Sequence, residues 1–170
     1  MEIIMKFLTL LFVLVFSFAT FADVCLEGRS ISKDNLGNIT PSEGEKCFEN
    51  VYNKNGSALV KGAVVVMDET EADGYSINVS ATAGKNPRCV LVEACAASAI
   101  CKCQTYGFID IALVKATEIP SIGSVLFISE ASAGYLAVNS SSDNDIDTPV
   151  GYSLELVTVD GAKKVFLKLR

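Results

Sequence analysis

The residues of this chain with the most chemistry to offer are six cysteines and a few clustered acids. Cys25, Cys47, Cys89, Cys95, Cys101 and Cys103 form an even set, with Cys101-Lys-Cys103 as a C-x-C pair and Cys95 six residues before it. Thiolates in that number can bind zinc, exchange with one another, or pair as disulfides. Zinc sites prefer C-x₂₋₄-C spacings on turns, often with histidine, and this chain has no histidine at all. The even count favours disulfides, as in an exported protein. Asp143, Asp145 and Asp147 stand at alternate positions, as in the first half of a calcium loop, and are a weak calcium candidate. The glycine at the sixth position and the glutamate at the twelfth are missing, so a solvated loop is the favoured reading. Asp68-Glu-Thr-Glu-Ala-Asp73 is a second acidic turn of the same kind.

Catalysis finds little to work with. Without histidine no Ser-His or Cys-His dyad can form. Paired carboxylates could serve a glycosidase, but no tryptophan offers a sugar platform. The expectation is therefore no enzyme, no catalytic residue, no cofactor-binding residue and no firm metal site. Asn38, Asn55, Asn78 and Asn139 each begin an Asn-x-Ser/Thr tripeptide, a pattern common by chance in such sequences.

The elements that hold these residues are strands. The segment Gly62-Ala-Val-Val-Val-Met-Asp-Glu-Thr-Glu-Ala-Asp-Gly74-Tyr-Ser-Ile-Asn-Val-Ser80 reappears as Gly123-Ser-Val-Leu-Phe-Ile-Ser-Glu-Ala-Ser-Ala-Gly134-Tyr-Leu-Ala-Val-Asn-Ser-Ser141. After each copy a proline restarts the pattern, at Pro87-Arg-Cys-Val-Leu-Val-Glu93 and Pro149-Val-Gly-Tyr-Ser-Leu-Glu155. Self-similarity with a period near sixty residues points to a duplicated architecture. From Val51 onward the apolar period is two. Asn55-Gly56 reads as a hairpin turn, and Ala63 to Met67 as a strand buried on both faces. A turn centred on Ser98 sets Cys95 across from Cys101. Phe108 to Val114 forms a further strand. Leu154 to Val159 meets Asp160-Gly161, a two-residue hairpin turn, and returns with Val165, Leu167 and Leu169 on one face. The fold class expected is all-β: a small barrel or sandwich with a possible internal duplication.

Residues 1–22 read as a secretory signal peptide. Phe7 to Ala22 carries no charge, Thr20-Phe-Ala22 suits a signal peptidase, and sixteen uncharged residues are short for a membrane span. Residues 23–50 read as an irregular arm held by Cys25 and Cys47, and residues 51–170 as the β-domain. The localisation expected is secreted or periplasmic, with no membrane span after signal removal. Net charge is −6, and loss of Glu2 and Lys6 leaves it unchanged. That balance disfavours nucleic acid, whose phosphates need clustered cations.

From about Leu59 to Arg170 the chain resembles small β-rich phage head-decoration and head-fibre proteins. The resemblance is carried by Gly123-Ser-Val-Leu-Phe-Ile-Ser-Glu-Ala-Ser-Ala-Gly134, by Val150-Gly151-Tyr-Ser-Leu154-Glu155 and by the closing strand Val165-Phe-Leu-Lys-Leu169. Gly107-Phe-Ile-Asp-Ile111 fits as well. The resemblance implies compact barrels that sit on a larger shell, often as trimers, with no catalytic residues. A signal peptide, six cysteines and Ser124, where an acid is frequent, depart from the pattern. The function expected is an exported structural or assembly module that works by surface contact. Its partners would be sister subunits, reached through exposed edge strands, or a larger protein assembly. The alternative is a small secreted carbohydrate- or calcium-binding domain built on the 139–147 loop.

Overall fold

A computed structural model describes residues 46–71, 73–79, 86–117, 119–138 and 148–169, and the backbone of three short strands nearer the N-terminus. All elements among the described residues are strands. The three short ones are β1 (Val24–Leu26), β2 (Ser32–Lys33) and β3 (Ile39–Thr40). The rest are β4 (Lys46–Asn53), β5 (Val64–Met67), β6 (Ser76–Asn78), β7 (Pro87–Leu91), β8 (Ile100–Val114), β9 (Val125–Ile128), β10 (Leu136–Ala137), β11 (Gly151–Ser153) and β12 (Gly161–Lys168).

The strands pair in the order β1-β4-β6-β5-β7-β8-β10-β9-β11-β12, and β8 pairs in addition with both β4 and β12. Those two extra ladders close the sheet twice. The first ring is β4-β6-β5-β7-β8; the second is β8-β10-β9-β11-β12. The 15 residues of β8 are long enough to serve both. The half from Ile100 to Tyr106 runs against β4, and the half from Tyr106 to Val114 against β12. The molecule is thus two five-stranded barrels sharing one strand.

The internal repeat of the sequence is this pair of barrels. In the first, Val64 faces Val90 and Val65 faces Cys89; in the second, Val125 faces Tyr152 and Leu126 faces Gly151. The parallel contact Asn53–Ile77 recurs as Val114–Leu136. Leu91–Cys103 recurs as Ser153–Val165. Even the loop bond recurs: Leu59 and Cys95 exchange amide bonds, and Val157 donates to the Pro120 carbonyl. Glycines open both copies in the left-handed region, Gly62 at φ 84° and Gly123 at φ 85°, where a side chain would be strained. The offset is about sixty residues at each of these pairs, as a duplicated supersecondary unit requires.

Each barrel has its own core. The first holds Val51, Leu59, Ala63, Val65, Ile77, Leu91 and four cysteines. The second holds Ile109, Ala112, Val114, Leu126, Leu136, Val150, Val157, Val165 and Leu167, and it also takes in Val64 and Val90. Those two valines sit on the wall of the first barrel, facing away from its interior. The run Ala63 to Val66 is therefore buried on both faces because one face fills the first barrel and the other packs on the second. Gly62 sits at this junction. A methyl there would collide with the Ile111 carbonyl oxygen, and the Gly62 carbonyl accepts the Leu113 amide.

Three expectations are corrected by the structure. Asn55-Gly56 does not make a two-residue hairpin, since β4 pairs with β6 and β8 and not with β5. The reason is Asn53, fully buried, whose side-chain amide donates to the carbonyls of Ser57, Cys95 and Ala96 and draws the chain inward. Asp160-Gly161 is not a hairpin turn either. β12 pairs with β11 and β8, and residues 154–160 form the loop between β11 and β12, which the Asp160 carboxylate ties to Lys115 and the Ala116 amide. Exposed edges for pairing with sister subunits are not offered by β5 to β12, because ring closure satisfies both sides of each of these strands. The face parity of β12 holds: Val165 and Leu167 are buried, and Lys164 and Lys168 are exposed. The expected signal, residues 1–22, lies outside the described residues, and β4 begins within the last residues of the segment read as an arm.

Candidate functional site

The cysteines gather in the first barrel. Cys89 on β7 is bonded to Cys103 on β8, with Cα atoms 5.7 Å apart. Cys95 is bonded to Cys101, with Cα atoms 5.6 Å apart, across a turn in which Ser98 takes φ 56°. Cys47 is also disulfide-bonded, and the β1–β4 register sets Cys25 opposite it. Among the described residues, one trio could come together around a metal, Glu49 with Cys89 and Cys103. Its two sulfurs are bonded to each other, so it has no thiolates to offer.

Glu49 has a different partner. It is buried at the end of the first barrel, and Arg88 grips it as a fork, Nε to Oε1 at 2.6 Å and Nη2 to Oε2 at 2.5 Å. This is the bidentate geometry that lets a carboxylate stay charged out of water. Neither residue was singled out from sequence. An isolated Glu at a core position in strand parity with Val51 was the available signal, and its partner lies on another strand.

Two surface acids, Asp68 and Asp73, are bound to their own turns. The hydroxyl and amide of Thr70 hold Asp68 below the usual carboxylate range, and the hydroxyl and amide of Ser76 do the same for Asp73. The shallow hollow beside Asp68 is lined by Val66, Met67, Glu69, Thr70, Asn78 and Val79. Asn55 donates its side-chain amide to Asn78 at 3.1 Å, so two of the Asn-x-Ser tripeptides lie side by side. Asp143, Asp145 and Asp147 lie outside the described residues, as do Asn38 and Asn139.

The distinctive feature is apolar. On the outer wall of the second barrel, Phe108, Phe166, Tyr152 and Val125 stand opposite one another on adjacent strands and form one row. Phe166 packs edge-on against Phe108 at 5.1 Å and Tyr106 at 5.3 Å. Phe108, Tyr152 and Val125 each remain 37% exposed. The equivalent row of the first barrel is Phe48, Gln104, Val90 and Val64, and there Val64 and Val90 are covered by the second barrel. Further along, the loop bond from Val157 to Pro120 brings together two segments carrying Ile119, Ile122, Leu156 and Val159, which are 58–74% exposed. Nothing in periodicity marked this tip, because exposed loop residues carry no pattern.

No family model and no curated relative matches the sequence. Among solved structures, the N base of the head fibre gp8.5 in bacteriophage phi29 is similar at 15% identity and a TM-score of 0.49, over 72% of this chain and 94% of that one. The resemblance to phage head-fibre proteins read from sequence thus has a weak structural counterpart, and the chain itself is an all-β, disulfide-linked double barrel.

Proposed function

We propose that this chain is an exported, non-enzymatic structural module that works by surface contact within a larger protein assembly. The observation that carries the reading is the uneven dressing of two equivalent barrels. The first barrel's wall is covered from within the chain and, of the large apolar side chains among the described residues, only Val60 and Ile100 stand exposed beside it, whereas the second leaves Phe108, Tyr152 and Val125 exposed on its wall and Ile119, Ile122, Leu156 and Val159 at its tip. Contiguous exposed apolar surface on a stable scaffold marks a place of contact. Export accords with the disulfides, which persist in oxidising compartments. Two of the described acids, Asp68 and Asp73, are engaged by the hydroxyls and amides of their own turns, in keeping with a non-enzymatic reading.

The tip supplies the test. Cells or particles that carry the protein are fractionated on a density gradient, and the chain is followed by antibody. An assembly component travels with high-mass material, and Ile122→Asp with Leu156→Asp releases it to the top. Wild-type protein found only as a small species at the top would overturn the reading. Mass spectrometry of the recovered chain should give an N-terminus at Asp23. A calcium titration checks the alternative, since a large rise in melting temperature would favour ion binding at Asp143, Asp145 and Asp147.

A further inference from the structure

We propose that the outer wall of the second barrel is where a second copy of this chain docks, by two-fold pairing of the row Phe108, Phe166, Tyr152 and Val125. The inference rests on the surface-contact reading above and names one partner for one face. Its first support is the duplication. Position for position, the row matches Phe48, Gln104, Val90 and Val64 of the first barrel. That wall is already packed on a barrel of this same chain, with Val64 and Val90 at 1% and 0% exposure. A β-barrel of this sequence is therefore a surface that such a wall can pack against. Among the described residues no further barrel covers the wall of the second unit, where Phe108, Tyr152 and Val125 remain exposed.

The second support is charge. The hollow beside Phe108 is lined by Lys46, which is already engaged within the chain, and by Asp110 and Lys164; Lys164 and Lys168 flank Phe166 on the exposed side of β12, so the free rim is Asp110, Lys164 and Lys168. The ion pairs among the described residues, Lys54–Glu71, Arg88–Glu49 and Lys115–Asp160, involve none of these three. An apolar centre with both signs of charge on its rim is self-complementary. When one copy is turned over onto another so that the rows coincide, Asp110 on β8 meets a lysine of β12 in the other copy. Isologous pairing of this kind is the commonest symmetric contact. A stable dimer buries about 800 Å² per partner, so the row and its charged rim both fall inside it.

Row substitutions also differ in kind from substitutions at the tip. Tyr152→Asp places a charge at the centre of the row, and Asp110→Lys reverses one charge at its rim. The full chain, with its disulfides intact, is sedimented over a wide concentration range, with circular dichroism confirming a folded β protein for each variant. The expected result is a reversible species of two copies. Tyr152→Asp should raise its dissociation constant roughly tenfold or more, as loss of a central aromatic does. Asp110→Lys should weaken it less, and adding Lys164→Asp and Lys168→Asp should restore it. Should Tyr152→Asp unfold the barrel, the exposed charge exchange decides alone. A monomer at all concentrations, a species of any other number of copies, or a dimer indifferent to the charge exchange overturns the proposal. Gradient behaviour of the Ile122→Asp and Leu156→Asp variant is read separately, so loss of the dimer does not count against assembly through the tip.

Discussion

A thiol reductant removes covalent links from the first barrel alone, because Cys47, Cys89, Cys95, Cys101 and Cys103 all belong to its strands and loops. The loss can be sized from the loops that the bridges close. Cys89–Cys103 spans 14 residues and restricts the unfolded chain by about 3 kcal/mol; Cys95–Cys101 spans 6 and contributes about 2 kcal/mol. Five kcal/mol, roughly, is the whole stability of many domains. The reduced sulfurs remain packed, so the effect falls on the unfolded state and not on native contacts. The second barrel keeps Leu126, Leu136, Val157, Val165 and Leu167 and loses only the cover given by Val64 and Val90. Hydrogen exchange read by mass spectrometry separates the two. On reduction, amides of β5, β6 and β7 should lose protection by roughly three decades or more, at about 1.4 kcal/mol per decade. Amides of β11 and of the Gly161 half of β12 should lose much less. Equal loss across both barrels, or no loss in β5 to β7, would refute the idea that the bridges hold one unit and aliphatic packing the other.

Further expectations follow from the same pairing of equivalent sites. Gly62→Ala meets both an unfavourable φ and the Ile111 carbonyl, and should cost about 3 kcal/mol in denaturant titration; Gly123→Ala, at the same φ but with open space beyond it, should cost about 1 kcal/mol. Arg88→Met leaves the Glu49 carboxylate buried without its fork and should cost about 2–3 kcal/mol, discounted for the partial exposure of Arg88; adding Glu49→Gln should recover most of it. Asp68, Asp73 and Asp160 are each held below the ordinary value of 3.8 in the folded state. Their contribution is complete above that value and disappears as pH falls through the lowered one. Melting temperature should therefore drop below about pH 4, and Asp160→Asn should flatten the drop. Lys115 is raised above 10.5 by Asp160, so the same variant should also blunt the loss of stability as pH rises past that value.

Much of the fold was legible because it rests on local signals. Alternating residues such as Val165, Leu167, Lys164 and Lys168 announce a strand and its faces. Gly62 and Gly123 mark the two starts, and their spacing shows the duplication before any coordinate does. The Cys95–Cys101 turn was legible because both partners lie within one short hairpin. Other features depend on distant sequence. Closure of the rings needs β8 to run unbroken through Gly107, which takes φ 92° within the strand and in sequence reads as a gap between two strands. Asn53 overrides the Asn55-Gly56 turn through carbonyls some forty residues away. The Glu49–Arg88 fork links β4 to β7, which both pair with β8 and not with each other, and Glu49 falls in the segment read from sequence as an irregular arm.

The duplication also works as an internal control, and this gives the functional reading its physical content. Two units with the same registers face the same packing problem, so differences between them reflect surroundings rather than fold. Where the first unit has Cys89 and Cys103, the second has Gly151 and Val165. A methyl on Gly151 would collide with the Phe166 carbonyl, so the second interior is closed by backbone contact and branched side chains and not by a bridge. Where the first unit has Gln104 in its wall, the second has Phe166. Gln104 turns its amide onto the carbonyls of Tyr106 and Phe108 because its face is sealed and a buried amide must find acceptors. Phe166 has no such duty and stands among aromatic rings at the surface. A fold that needed only to be soluble would carry the polar residue on the open wall and the apolar one under cover. The reverse arrangement is what a surface kept for contact with another protein requires.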